Sequence, residues 1–169
     1  PSDDGRIKLS GPKSELSSMQ AIEINDLIFR WKRGEATILS LDSVQIARGE
    51  QVFISGPSGS GKSTLLSLLA GVTTPEQGSL QILGKHLERL GSVERDHFRA
   101  NHIGYIFQMF NLIPYLSMVD NVTLPCRFSR QRREKAVRRS GTPEREAIRL
   151  LDHLDMAHDD LLGRPVPTL

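Results

Sequence analysis

Cysteine is almost absent from this sequence: Cys126 is the only one in 169 residues. A lone thiol excludes an intrachain disulfide framework and a cysteine-only metal site, and it suits a reducing compartment. No long apolar run exists either. The longest candidate, residues 103–118, is interrupted by Gln108, Asn111 and Pro114 and is shorter than the roughly 18 residues of a membrane span. The chain opens Pro1-Ser2-Asp3-Asp4, without the apolar segment of a signal peptide. A strong excess of one charge is missing too. The net charge is +2 and the pI about 9.0, too mild a bias to demand nucleic acid. The remainder is ordinary globular composition, with 38% hydrophobic residues and 14 glycines, and a length that predicts one domain.

Residues 1–19 are rich in Ser, Gly, Asp and Lys without periodicity and read as a loose lead-in. Residues 21–31 alternate imperfectly, with Ile22, Ile24, Leu27 and Phe29, and predict a strand; residues 38–46 predict a second. Gly49-Glu50 marks a turn before a short apolar strand at 51–55. Residues 62–71 predict a buried helix, with Leu65, Leu66, Leu68 and Leu69 apolar nearly all round. After a turn at Pro75–Gly78 the pattern predicts a strand at 79–83, then an exposed helix at 92–100 with Ser92 as its cap and Arg95 at its third position. A compact strand is expected at 103–107, with Phe107 in the core. Helices are expected at 118–124, 131–139 and 144–154, broken at Pro125 and at Gly141-Thr142-Pro143.

Between the strand at 51–55 and the helix at 62–71 lies Gly56-Pro57-Ser58-Gly59-Ser60-Gly61-Lys62-Ser63. It fits the phosphate-loop pattern G-x-x-x-x-G-K-S/T in its required strand–loop–helix context. Glycines let the backbone wrap closely around phosphate oxygens, and successive N–H groups with the helix N-terminus form an anion nest. Lys62 supplies a positive charge for the β- and γ-phosphates. The Ser63 hydroxyl is a Mg²⁺ ligand candidate, and Thr64 can reach an α-phosphate oxygen. A dinucleotide-binding reading fails, because Thr64 occupies the last glycine position of that pattern and a lysine sits inside it.

The loop is also similar to that of guanylate kinases, so a nucleoside-monophosphate kinase is one reading. More than 50 residues precede the loop, however, and no monophosphate-binding segment rich in Ser, Thr, Arg and Tyr comes after it. Downstream the chain runs Ile103-Gly104-Tyr105-Ile106-Phe107-Gln108-Met109-Phe110-Asn111-Leu112-Ile113-Pro114, then Asn121-Val122 and Leu124-Pro125. This run resembles the Q-loop of ABC-transporter ATPases, in particular the lipoprotein-release and macrolide-export group, and the likeness covers roughly residues 22–169.

The resemblance implies an α/β phosphate-loop fold: a mixed sheet around the loop helix, an antiparallel β part and an α-helical subdomain. Residues 20–169 would form one incomplete domain, with 20–108 as nucleotide-binding core and 109–169 as Q-loop and helical subdomain. ATP and Mg²⁺ are the implied ligands. Gly56, Ser58, Gly59, Ser60, Gly61, Lys62, Ser63 and Thr64 would hold the phosphates, and Ser63 with Gln108 would serve the metal. Lys62 and Gln108 are the catalytic candidates, since an amide can approach Mg²⁺ or the attacking water. Trp31, the only Trp, stands where the family stacks an aromatic ring on adenine, a contact expected to be worth about 1–3 kcal/mol.

Implied partners are a transmembrane permease subunit, received at the Q-loop and helical subdomain, and a second ATPase subunit in an ATP sandwich. The implied location is the cytoplasmic face of the membrane. No strand ending Asp-Glu, signature loop or switch histidine is found, and residues 165–169 are similar to the approach to the signature. The chain therefore reads as truncated at its C-terminal side, exposing apolar surface and hydrolysing ATP negligibly by itself; a nucleotide-binding module without catalysis is the alternative for it alone. Residues 127–139 hold seven basic side chains against Glu134. They read as a solvated face or as a surface near anionic lipid or the membrane partner, with nucleic acid not expected. His97/His102 and His153/His158 are each five apart, off a common helical face, so no metal site is expected from them.

Overall fold

The computed structural model describes residues 7–10, 20–32, 34–109 and 111–156. The chain forms two compact units, Pro1–Asp96 and His97–Leu169. The first holds β1 (Lys8–Ser10), β2 (Gln20–Phe29), β3 (Leu39–Ala47), β4 (Phe53–Ser55), α1 (Lys62–Leu69), β5 (Gln77–Ile82) and β6 (Lys85–His86). Four strands make one sheet in the order β3-β2-β5-β6, while β1 and β4 pair separately. All the described pairings are antiparallel; the parallel strands that a mixed sheet implies are not among the described residues. The lead-in is less loose than its composition implies. Lys8, Leu9 and Ser10 pair with Ser55, Ile54 and Phe53, because an open strand edge offers hydrogen bonds to any extended neighbour.

The imperfect alternation in β2 has a structural cause. Ile24, Leu27 and Phe29 are all buried, although the step from 24 to 27 is odd. Asp26 adopts a positive φ of 49°, and the β2–β5 register shifts between Asn25 and Ile28. That bulge inserts one residue and moves the apolar phase, so both halves of the strand face the same core. Leu39, Leu65, Leu68, Leu80, Ile82 and Leu87 complete this core. The helix α1 is not apolar all round as expected: Leu65 and Leu68 are buried, but Leu66 is 41% exposed. Ile22, Ile24, Val44, Ile46, Val52, Ile54 and the three leucines 65, 66 and 69 line an apolar cavity of about 240 Å³. Phe53 of β4 is 69% exposed.

The helix α2 (Ser92–His102) is capped one residue earlier than expected. The Arg95 N–H donates to the Gly91 carbonyl, and Glu94 accepts from the Gly91 N–H at 2.9 Å. Glu94 thus holds the position assigned to Arg95, and the acid suits the positive end of the helix dipole.

In the second unit α3 (Met118–Phe128), α4 (Arg130–Ser140) and α5 (Pro143–Asp152) pack pairwise. Ser117, Ser129 and Thr142 cap them, accepting from the N–H groups of Asp120, Arg132 and Arg145, and Pro143 opens α5 where its missing N–H costs nothing. Pro125 does not break α3, contrary to expectation. The helix runs on to Phe128, and the break falls at Ser129, where long-range bonds anchor the chain. The Ser129 hydroxyl donates to Asn101 Oδ1, and Arg132 donates to the carbonyls of Ala100 and Ile103. The strand expected at 103–107 does not form either. Ile106 is 96% and Phe107 57% exposed, so Phe107 is not core. A strand exists only through a hydrogen-bonded neighbour, and no described strand lies beside this segment. The expectations for residues 157–169, including His158 and the stretch 165–169, lie outside the described residues, as do Arg33 and Phe110.

Candidate functional site

The phosphate loop joins β4 to α1, and its geometry follows from its glycines. Gly59 and Gly61 have φ of 78° and 93°, in the left-handed region that costs other residues about 1–2 kcal/mol. Gly61 is the N-cap of α1 and offers no side chain to the free N–H groups; the first turn of α1 carries no acid. That helix start is left open to an anion. Lys62 folds back over the loop, its Nζ donating to the carbonyls of Gly56 at 2.8 Å and Pro57 at 2.6 Å. The Ser60 Oγ is buried without a hydrogen-bond partner among the described residues. A buried hydroxyl left unpaired in a ring of peptide dipoles marks a place for a polar ligand. Ser63 is exposed at the mouth, whereas Thr64 is buried at the base of the helix. A helix start with neither cap nor acid, a cation held by weak carbonyl partners and an orphaned hydroxyl fit the phosphates of a nucleotide.

The β2–β3 hairpin brings Trp31 toward this loop through a short chain of contacts. A Cβ on Gly61 would meet the Ile38 carbonyl oxygen at 3.1 Å. The Ile38 N–H donates to the Phe29 carbonyl at 3.0 Å, and the Phe29 ring meets Trp31 edge to face at 5.0 Å. Trp31 itself is 60% exposed, so a ring face is available for stacking. Arg30, which sequence reasoning did not single out, is fixed beside it. Its Nε donates to Thr37 Oγ1 at 3.1 Å and its Nη1 pairs with Glu76 at 2.9 Å. No local pattern signals a partner 46 residues away.

Gln108 lies in the second unit, exposed, in a bend between α2 and α3; Trp31 and the residues of the phosphate loop lie in the first. The end of the Gln108 loop is clamped by Asn121, whose Oδ1 accepts from the Ile113 N–H at 2.8 Å. Its Nδ2 donates to the carbonyls of Ile113, Leu116 and Ser117 at 3.0–3.3 Å. Asn121 stands in the sequence motif, but its role needed the loop's path. No cluster of three or more metal-ligating side chains occurs among the described residues, and none of the described helices is long and apolar enough to cross a membrane.

A strand, a glycine loop and a lysine at the start of a helix, in a unit built on an antiparallel sheet, define a phosphate-loop nucleotide-binding protein. The chain belongs to the ABC transporter family, whose description matches residues 39–168. The macrolide export ATP-binding/permease protein MacB of Chlorobaculum tepidum is 40% identical over 138 residues, covering 80% of this chain and 20% of that protein. The lipoprotein-releasing system ATP-binding protein LolD of Pseudomonas fluorescens is 32% identical over 145 residues, covering 85% of this chain and 61% of that protein. Among solved structures, a dimeric post-hydrolysis state of the ATP-binding cassette MJ0796 bound to ADP and Pi is similar with a TM-score of 0.60. It is 26% identical and covers 85% of this chain and 61% of that one. The chain thus spans between a fifth and about three fifths of these relatives. Membership of this family displaces the monophosphate-kinase reading.

Proposed function

We propose that the protein is the ATP-binding subunit or domain of an ABC transporter, in which ATP binding and hydrolysis drive export or lipoprotein extrusion through a membrane permease. The open, uncapped start of α1 with Lys62 folded over the loop carries this reading. In it, residues 20–108 are the nucleotide-binding core, and residues 109–169 carry the partner-facing loop and helical subdomain. The amides of Gly56, Ser58, Gly59, Ser60 and Gly61 surround the phosphates. Lys62 exchanges two neutral carbonyl partners for phosphate oxygens, which adds ion–ion attraction to hydrogen bonds that the ammonium already strengthens. Thr64 approaches the α-phosphate, and Ser63 would hold Mg²⁺, which would supply charge neutralisation at the phosphates; Gln108, in the second unit, keeps the metal role that the family resemblance implies. Trp31 stacks on the adenine.

Hydrolysis and transport are proposed for the whole protein, paired with a second ATPase subunit and placed at the cytoplasmic face of a membrane. Support comes from the exposed apolar loop that includes Ile106, Phe107, Met109 and Tyr115, a surface suited to a protein partner. Trp31 is the only tryptophan, so nucleotide binding is read directly from its emission. Saturating Mg-ATP shifts that emission, and Lys62→Ala raises the concentration needed. Trp31→Ala, followed by calorimetry, weakens binding by about 5- to 150-fold, the equivalent of 1–3 kcal/mol. An unchanged emission at saturating nucleotide would refute the stacking role, and unaltered affinity in Lys62→Ala would refute the site.

A further inference from the structure

We propose that the outward face of α4 is a contact surface for anionic lipid headgroups. The helix carries six basic residues against Glu134, a net charge of +5 in a chain whose total is +2, so all other residues together are net negative. Its orientation is settled by its inner side. Ser129 and Ala136 are buried, and the Arg132 guanidinium is committed to the carbonyls of Ala100 and Ile103. Beside that inner side, positions 130, 133, 134, 137 and 138 are exposed and line a shallow groove of about 460 Å³.

On the helix and beside it, several cations already have partners. Arg127 meets Asp120, Arg130 meets Glu134 and Arg139 approaches Glu146. Arg133 and Arg138, by contrast, have no anionic partner among the described residues, and both are exposed. Val137, 42% exposed, lines the same groove as these two arginines. A basic helix face with an apolar centre matches a bilayer interface, where phosphates meet the cations and acyl chains meet the valine. No aromatic residue lies in α4 for stacking on a base, which favours lipid over nucleic acid. The inference stands on α4 alone and is independent of nucleotide binding and of the permease.

Each cation near an anionic surface strengthens attachment about five-fold. The test is flotation of the chain with vesicles of equal parts phosphatidylglycerol and phosphatidylcholine, against phosphatidylcholine alone. The chain is expected to float only with the anionic vesicles and to be released as salt rises to about 1 M, where screening acts within about 3 Å. The double variant R133Q/R138Q lowers the partition coefficient about 25-fold. The charge-matched control R48Q/K85Q, at exposed positions of the first unit, leaves it within about two-fold, and R133K/R138K retains binding. Circular dichroism of each variant confirms that the helices persist. Equal loss in R133Q/R138Q and R48Q/K85Q, or equal binding to neutral vesicles, overturns the proposal. So does an oligonucleotide that displaces the chain at matched phosphate concentration and itself depends on Arg133 and Arg138.

Discussion

Replacing Gly59 and Gly61 by alanine separates two physical demands that the phosphate loop makes on its glycines. Both residues have positive φ, 78° and 93°, so each alanine bears the left-handed penalty of about 1–2 kcal/mol. Their surroundings differ. An added Cβ at Gly59 meets nothing within 4 Å, whereas at Gly61 it lies 3.1 Å from the Ile38 carbonyl oxygen and 3.5 Å from the Leu39 side chain. Ile38 cannot retreat freely, because its N–H is bonded to Phe29 across the hairpin. Crowding of this kind adds about 1–3 kcal/mol. Gly59→Ala is therefore expected to cost about 1.5 kcal/mol and Gly61→Ala about 3 kcal/mol. At this chain length the melting temperature falls by about 2–4 °C per kcal/mol, giving about 3–6 °C and 6–12 °C. Urea and thermal unfolding followed by Trp31 emission measure both, since Trp31 reports the first unit. A loss in Gly59→Ala equal to or greater than that in Gly61→Ala would refute the reasoning.

Acid should loosen the second unit. The Arg149 guanidinium and then the Ser140 hydroxyl hydrogen-bond Glu146 and lower its carboxyl from 4.5 to about 2, so their stabilisation is full above pH about 4.5 and is lost as the pH falls toward 2. Helical circular dichroism should decline across that window in the native chain, and Glu146→Gln should flatten the decline; an unchanged acid profile in the variant contradicts this. Asn121→Ala removes the clamp on residues 113–117 and leaves part-buried peptide groups unpaired, at about 1–3 kcal/mol. Faster amide exchange at Ile113 is the expected sign. Asn121→Asp should not rescue it, since a carboxylate faces the carbonyls of Ile113, Leu116 and Ser117 without a proton to donate. Protection at Ile113 in either variant equal to that of the native chain would show that the loop is held by something else.

The phosphate loop was legible because its parts are contiguous: glycine, lysine and hydroxyl act within eight positions, and the flanking apolar runs name the elements that hold them. The bulge in β2 was visible as an odd step between Ile24 and Leu27, although its meaning depended on the pairing with β5. Other features depended on partners distant in sequence. Residues 103–107 have the composition of a strand but no strand beside them among the described residues, so they form none and Phe107 is 57% exposed. Pro125 has the chemistry of a helix breaker, yet the break falls at Ser129, where Asn101, Ala100 and Ile103 receive hydrogen bonds from Ser129 and Arg132.

Residue type and near spacing set the chemistry available: a cationic, glycine-rich loop, a single tryptophan and an amide at Gln108 in an apolar loop. Bonded geometry carries such features directly into space, so they could be read along the chain. Which groups meet was a matter of the folded chain alone. Folding set the Ile38 carbonyl against Gly61, tied Arg30 to Glu76 beside Trp31, clamped the loop through Asn121 and left Arg133 and Arg138 exposed. Such contacts depend on how chain segments far apart in sequence fill one another's hydrogen bonds and apolar surface, and no local pattern encodes that choice.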